Sequence, residues 1–122
     1  MFKLVALIKR KRGTSVEFFR EYYETKHVPL ALPSLEGLAI DYHRNYVETS
    51  FGYFGNDAAG ADDQPYDCVT EVLLPDQAAV DGLLTRMSDP DLNAKIVADE
   101  ENFIDRDSLR IMICKHVPDT VL

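Results

Sequence analysis

Phe19, Tyr23 and His27 recur at i, i+4 and i+8 in the run SVEFFREYYETKHVPLA, which places two aromatic rings and an imidazole on one stripe of a helix. An imidazole exchanges a proton near neutral pH. Rings leading up to it suit a pocket that performs acid-base chemistry on an apolar substrate, with Tyr23 and Phe19 as contact surface and His27 as the catalytic group. The same residues have a plainer use. A histidine in the last turn of a helix favours the helix dipole, and Phe and Tyr at this spacing pack ordinary cores.

A second polar group lies in residues 38–47. There Leu38, Ile40, Tyr42, Arg44 and Tyr46 alternate with Ala39, Asp41, His43, Asn45 and Val47, the pattern of a strand with two different faces. If the apolar face meets the helices, Asp41, His43 and Asn45 form a ridge on which a carboxylate or amide can orient the His43 imidazole. The alternative is an edge strand whose polar face meets water. Glu71, between Val69 and Leu73, either reaches the same side or pairs with a lysine or arginine. Tyr22, Tyr23, Tyr42 and Tyr46 supply phenol donors or stacking surface, or pack with their hydroxyls outward.

Other chemistries find no motif. The three histidines fall on three different elements without HxH or HExxH spacing, so no metal site is expected, and His116 reads as a strand-end surface residue. There is no GxSxG, and Cys68 has no activating partner in sequence. FGYFGNDAAG does not join a strand to a helix as a nucleotide fingerprint requires, so no cofactor is expected.

The elements that must position these residues fit one domain, residues 1–122, because 122 residues with 46% hydrophobic content can bury a core. A formal charge of −8 disfavours nucleic acid and anionic membrane surfaces. The basic cluster at residues 9–12 reads as a solvated strand end, with a lesser prospect of meeting an anionic group on a substrate. Cys68 and Cys114 read as reduced thiols, which together with the absence of a signal peptide or membrane span predicts a cytoplasmic protein.

Residues 2–9 read as a strand. Thr14 opens a capping box with Glu17 at the head of a helix that runs to about Lys26, where Pro29 stops it. The strand at 38–47 is followed by a glycine-rich loop at 48–65, which includes Asn56, and by a strand at 67–74. Pro75 and Asp76 start a helix carrying Val80, Leu83, Leu84 and Met87, Asp89 and Pro90 start a short one, and residues 109–116 form the last strand. This order predicts an α+β, ferredoxin-like split βαββαβ fold: a four-stranded antiparallel sheet with helices on one face. The uncovered face predicts a homodimer packed sheet to sheet.

The opening KLVALIKRKRGTSVEFFREYYETKHVPL and the closing ADEENFIDRDSLRIMICKHV resemble the EthD-like branch of the dimeric α+β barrel proteins. The first is similar to that family's strand, turn and F-x3-Y-x3-H-x-P helix end, the second to its D-E-x-x-F-x-D segment and terminal strand. The resemblance spans nearly the whole chain. It implies a homodimer whose sheets enclose a lumen, with a cofactor-free pocket between sheet and helices in each subunit. It also implies a place in the breakdown of ethers and aromatic compounds or in polyketide tailoring.

Together these readings predict a small homodimeric lyase that decarboxylates, dehydrates or cyclises an apolar or phenolic molecule. His27 is its preferred acid-base group. A non-catalytic accessory that delivers a hydrophobic metabolite to an oxygenase, and a cofactorless monooxygenase, are the competing expectations.

Overall fold

A computed structural model describes every residue except 54 and 56, so Asn56, expected in the long loop, lies outside the described residues. Four strands, β1 (Phe2–Ile8), β2 (Asp41–Tyr46), β3 (Cys68–Leu74) and β4 (Arg110–Lys115), form one antiparallel sheet in the order β2-β3-β1-β4. Helices α1 (Val16–Tyr22), α2 (Val28–Leu35), α3 (Gln77–Met87) and α4 (Pro90–Glu100) accompany it. The fold is the α+β, ferredoxin-like split βαββαβ arrangement that the sequence predicts.

Alternation decides the two faces of the sheet. Leu4, Ala6 and Ile8 of β1 and Cys68, Val72 and Leu74 of β3 are buried against Phe19, Tyr23, Val80, Leu83 and Phe103. Their neighbours Val5, Leu7, Val69 and Leu73 are only partly covered, and Met112 is exposed, so the second face of the sheet is apolar and open. Cys68 and Cys114 are both free thiols; the first sits opposite Ile8 and the second opposite Lys3, at different ends of β1.

Four local readings need correction. Ser15, not Thr14, caps α1: its Oγ accepts the Phe18 N–H at 3.0 Å, while the Thr14 hydroxyl turns back to the Lys11 carbonyl. Pro29 does not stop the first helix. The chain widens into a π turn, Tyr23–His27, in which the Val28 N–H reaches back to the Tyr23 carbonyl, and then continues as α2 with Pro29 in its first turn. A proline costs little there because the first-turn N–H groups of a helix have no intrahelical partner, and the wide turn breaks the register that would press the ring on a carbonyl.

The second strand begins at Asp41 rather than at 38, because residues 38 and 39 still belong to the turn that leaves α2. Gly37 takes φ +76°, and the Leu38 and Ala39 N–H groups both bond the Leu35 carbonyl. Leu38 then packs where Gly82 of α3 leaves room. The helix from Asp89 is as long as α3, and within α3 Leu84 faces outward, 43% exposed.

The basic cluster and the long loop are tied together. Asp67, 4% exposed, accepts the Arg10 N–H at 2.8 Å and lies 3.9 Å from Lys9 Nζ. Gln64, 1% exposed, holds the loop by donating to the Ala59 and Gly60 carbonyls. Lys9 and Arg10 are therefore structural cations rather than anion receptors.

Candidate functional site

The π turn sets the site. Tyr23, His27, Ala31 and Ser34 follow one another on the inner stripe of the π turn and α2, and all four line a cavity of about 130 Å³ between the helices and the sheet. The sheet supplies Leu4, Ala6 and Thr70 to its floor; α3 and α4 supply Leu83, Ile96 and Glu100. The spacing that suggested an aromatic ladder therefore continues two turns further than the sequence predicts.

His27 is held from three sides. Its ring meets Tyr23 edge to face at 5.0 Å and Phe103 at 5.3 Å, and its Nδ1 lies 2.7 Å from Asp99 Oδ2. Asp99 in turn accepts the Tyr22 hydroxyl at 3.0 Å, and Asn102 donates to that same phenol oxygen at 3.0 Å. A carboxylate only accepts, so the Asp99 bond places the proton on Nδ1 and leaves Nε2 as the basic nitrogen of the neutral ring. Nε2 has no hydrogen-bond partner among the described residues.

The groups around it are tuned by burial. Desolvation drives the Tyr23 phenol far above its ordinary range, and its hydroxyl pairs with Thr70 Oγ1 at 2.5 Å. Burial, reinforced by the bond to Asp99, raises Tyr22 as well. Both therefore stay protonated at neutral pH, and Tyr22 donates to Asp99. Burial also raises the carboxyl of Glu100, partly offset by Arg106 at 3.6 Å and by His27. The Cys68 thiol is pushed up to about 11 by desolvation, which removes it as a thiolate nucleophile.

A clamp from the sheet fixes the π turn. Glu24, within the turn, takes both Nε (3.0 Å) and Nη2 (2.8 Å) of Arg44 and the Tyr46 hydroxyl. Arg44 also lies over the Tyr42 ring, 4.7 Å from its centroid. Such a bidentate pair fixes direction as well as charge.

The expected site residues divide between the two faces of the sheet. His27 and Tyr23 line the cavity, whereas Phe19, 0% exposed, stands behind Tyr23 in the core and not in the cavity wall. Asp41, His43, Asn45 and Glu71 all lie on the open face. There His43 Nε2 is 3.9 Å from Asp41, and Asn45 donates to Glu71 at 3.0 Å, which Lys3 also bridges at 3.1 Å. One protomer cannot bring His27 and His43 to the same substrate atom.

Asp99, Glu100 and Ser34 are the site residues that sequence reasoning missed. The first two were visible in the D-E-x-x-F-x-D segment, but only the fold brings residues 72 positions apart into contact. A wider groove of about 430 Å³ outside the cavity shares Leu35 and Tyr42 with it and has Glu36 and Asp41 as its carboxylates. Among the described residues, no cluster of three or more His, Cys, Asp or Glu could hold a metal ion, and no helix is long and apolar enough to cross a membrane.

Known proteins of the same shape agree with this architecture. An ethyl tert-butyl ether D family protein from Bacillus halodurans C-125 superposes with a TM-score of 0.64 at 21% identity, over 96% of this chain and 99% of that one. An EthD-like protein from Ralstonia eutropha JMP134 gives 0.67 at 16%, covering 98% and 94%. An antibiotic biosynthesis monooxygenase gives 0.57 at 16%, covering 97% and 100%. At these identities the likeness concerns the fold. No curated protein is similar enough in sequence to match. The EthD domain model matches residues 11–107, and the chain belongs to that family.

Proposed function

We propose that the protein is a cofactor-independent acid-base enzyme of the lyase type, acting on a small apolar or phenolic molecule held in the cavity beside His27. The observation that carries this reading is the bond between His27 Nδ1 and Asp99 at 2.7 Å, which leaves a basic Nε2 at the wall of an apolar cavity. In a dehydration, Nε2 takes a proton from the substrate carbon and the imidazolium returns it to the departing hydroxyl, which leaves as water. Asp99 stabilises the imidazolium between the two transfers without taking the proton itself. In a cyclisation the same nitrogen takes the carbon proton, the carbanion attacks a carbonyl carbon of the same molecule, and the imidazolium returns the proton to the alkoxide that forms.

The reading extends to a homodimer. Val5, Leu7, Val69, Leu73 and Met112 give the open sheet face an apolar surface, and a second copy covers it with the same residues. Asp41, His43, Asn45 and Glu71 then line the space between the sheets, where they orient or admit substrate rather than act on it with His27. Two reduced cysteines fit a cytoplasmic setting.

A monooxygenase reading draws only on the shape of two solved structures, at 16% and 15% identity. A binding-protein reading gains nothing from a histidine oriented by a carboxylate, and acid-base catalysis accounts for that pair. Catalysis is tested by proton exchange at a carbon beside a carbonyl, followed in D2O for wild type, His27→Gln and His43→Gln.

A further inference from the structure

Ser34 is 6% exposed, lines the cavity, and its Oγ has no hydrogen-bond partner among the described residues. Its backbone carbonyl is already taken by Arg86 at 3.1 Å, so the residue is fixed in place while its hydroxyl stays free. Buried hydroxyls are ordinarily paired, and an orphan in a cavity wall marks where a ligand's polar atom belongs. Ser34 stands two helical turns beyond His27 on the same stripe, about 10 Å along the axis. The cavity thus has an imidazole at one end and a neutral hydroxyl at the other.

The charges say what kind of ligand fits. None of the residues lining the cavity is a lysine or an arginine, His27 is engaged by Asp99, and Glu100 adds a carboxyl to the wall. A carboxylate or phosphate entering there would lose its water and meet no free cation. Size adds a second limit: 130 Å³ is close to the cavity of about 150 Å³ that accepts one benzene in another protein, and because this one opens to solvent it takes one ring with a small substituent reaching outward.

We infer that the cavity selects a neutral, single-ring oxygen compound, a phenol or a ring-bearing ketone, whose oxygen hydrogen-bonds Ser34 while the reacting carbon faces His27. This rests on the proposed acid-base function and narrows it: a free carboxylate is excluded as substrate, so dehydration or cyclisation is favoured over decarboxylation.

The test is calorimetric titration with two probes of nearly the same shape, neutral 4-hydroxyacetophenone and anionic 4-hydroxybenzoate, on wild type and Ser34→Ala. The ketone should bind at least tenfold more tightly than the benzoate. Ser34→Ala should weaken the ketone five- to tenfold while the unliganded variant melts no lower than wild type, since it removes an unpaired hydroxyl. Equal or tighter binding of 4-hydroxybenzoate, or ketone affinity unchanged in Ser34→Ala, overturns this inference and leaves the acid-base reading standing. If folded wild type binds neither probe at millimolar concentration, the inference fails together with the cavity as a substrate site.

Discussion

His27 Nδ1 and Asp99 Oδ2 stand 2.7 Å apart although 72 residues separate them, and that contact joins the π turn to the end of α4. It fixes the tautomer and the ring plane together, so the two residues act as a unit. Asp99→Asn keeps the shape but offers an amide in place of a carboxylate. Turnover should fall by about 10² or more with ligand affinity within a fewfold, whereas Tyr22→Phe, which removes only one donor to Asp99, should lose about tenfold or less. Steady-state kinetics on the two variants separates these outcomes; equal losses would mean that Tyr22 does more than orient Asp99.

Glu100 gives a pH signature in stability. Its carboxyl is raised above the ordinary value of 4.5 by burial, so the folded protein holds that proton more tightly than the unfolded chain. The stability it contributes is present in full below pH 4.5 and is lost as pH rises through the raised folded value. Glu100→Gln removes that loss. Denaturant melts from pH 4 upward should show the variant gaining on wild type as pH increases; a constant difference across the series would contradict the assignment.

The open sheet face predicts how the protein assembles. Val5 lies on the central strand opposite Glu71 and Met112, so Val5→Glu sets one carboxylate beside another in the middle of the proposed interface. Sedimentation at micromolar concentration should show a dimer for wild type and a folded monomer for the variant, with the dimer constant weakened at least about 10²-fold. A wild-type monomer would remove the enclosed space in which His43 and Asp41 were given a role.

Much of the fold was legible because it rests on local rules. Alternation in β1 and β3, the Asp76 and Asp89 caps, and the inward stripe Phe19, Tyr23, His27 all follow from spacing alone. Pro29 misled because a proline usually ends a helix, and a π turn has no propensity signature of its own. Asp99 and Glu100 stood out in sequence only as part of the D-E-x-x-F-x-D segment and Ser34 not at all; their roles come from α4 and α2 closing over the sheet. The alternation of β2 was legible, but the direction of its polar face was left open; β2 is an edge strand with Asp41, His43 and Asn45 exposed, and the sheet itself separates His43 from His27.

The central claim is that Nε2 of His27 moves a substrate proton. It is tested most directly by the loss of the methyl signal of 4-hydroxyacetophenone in D2O, since those protons sit beside the carbonyl and exchange through base catalysis. Wild type should accelerate the exchange over buffer and saturate with ketone, His43→Gln should stay within a fewfold, and His27→Gln should fall by about 10² while remaining folded. Exchange by His27→Gln at the wild-type rate would contradict the account and return His27 to a structural role at the π turn.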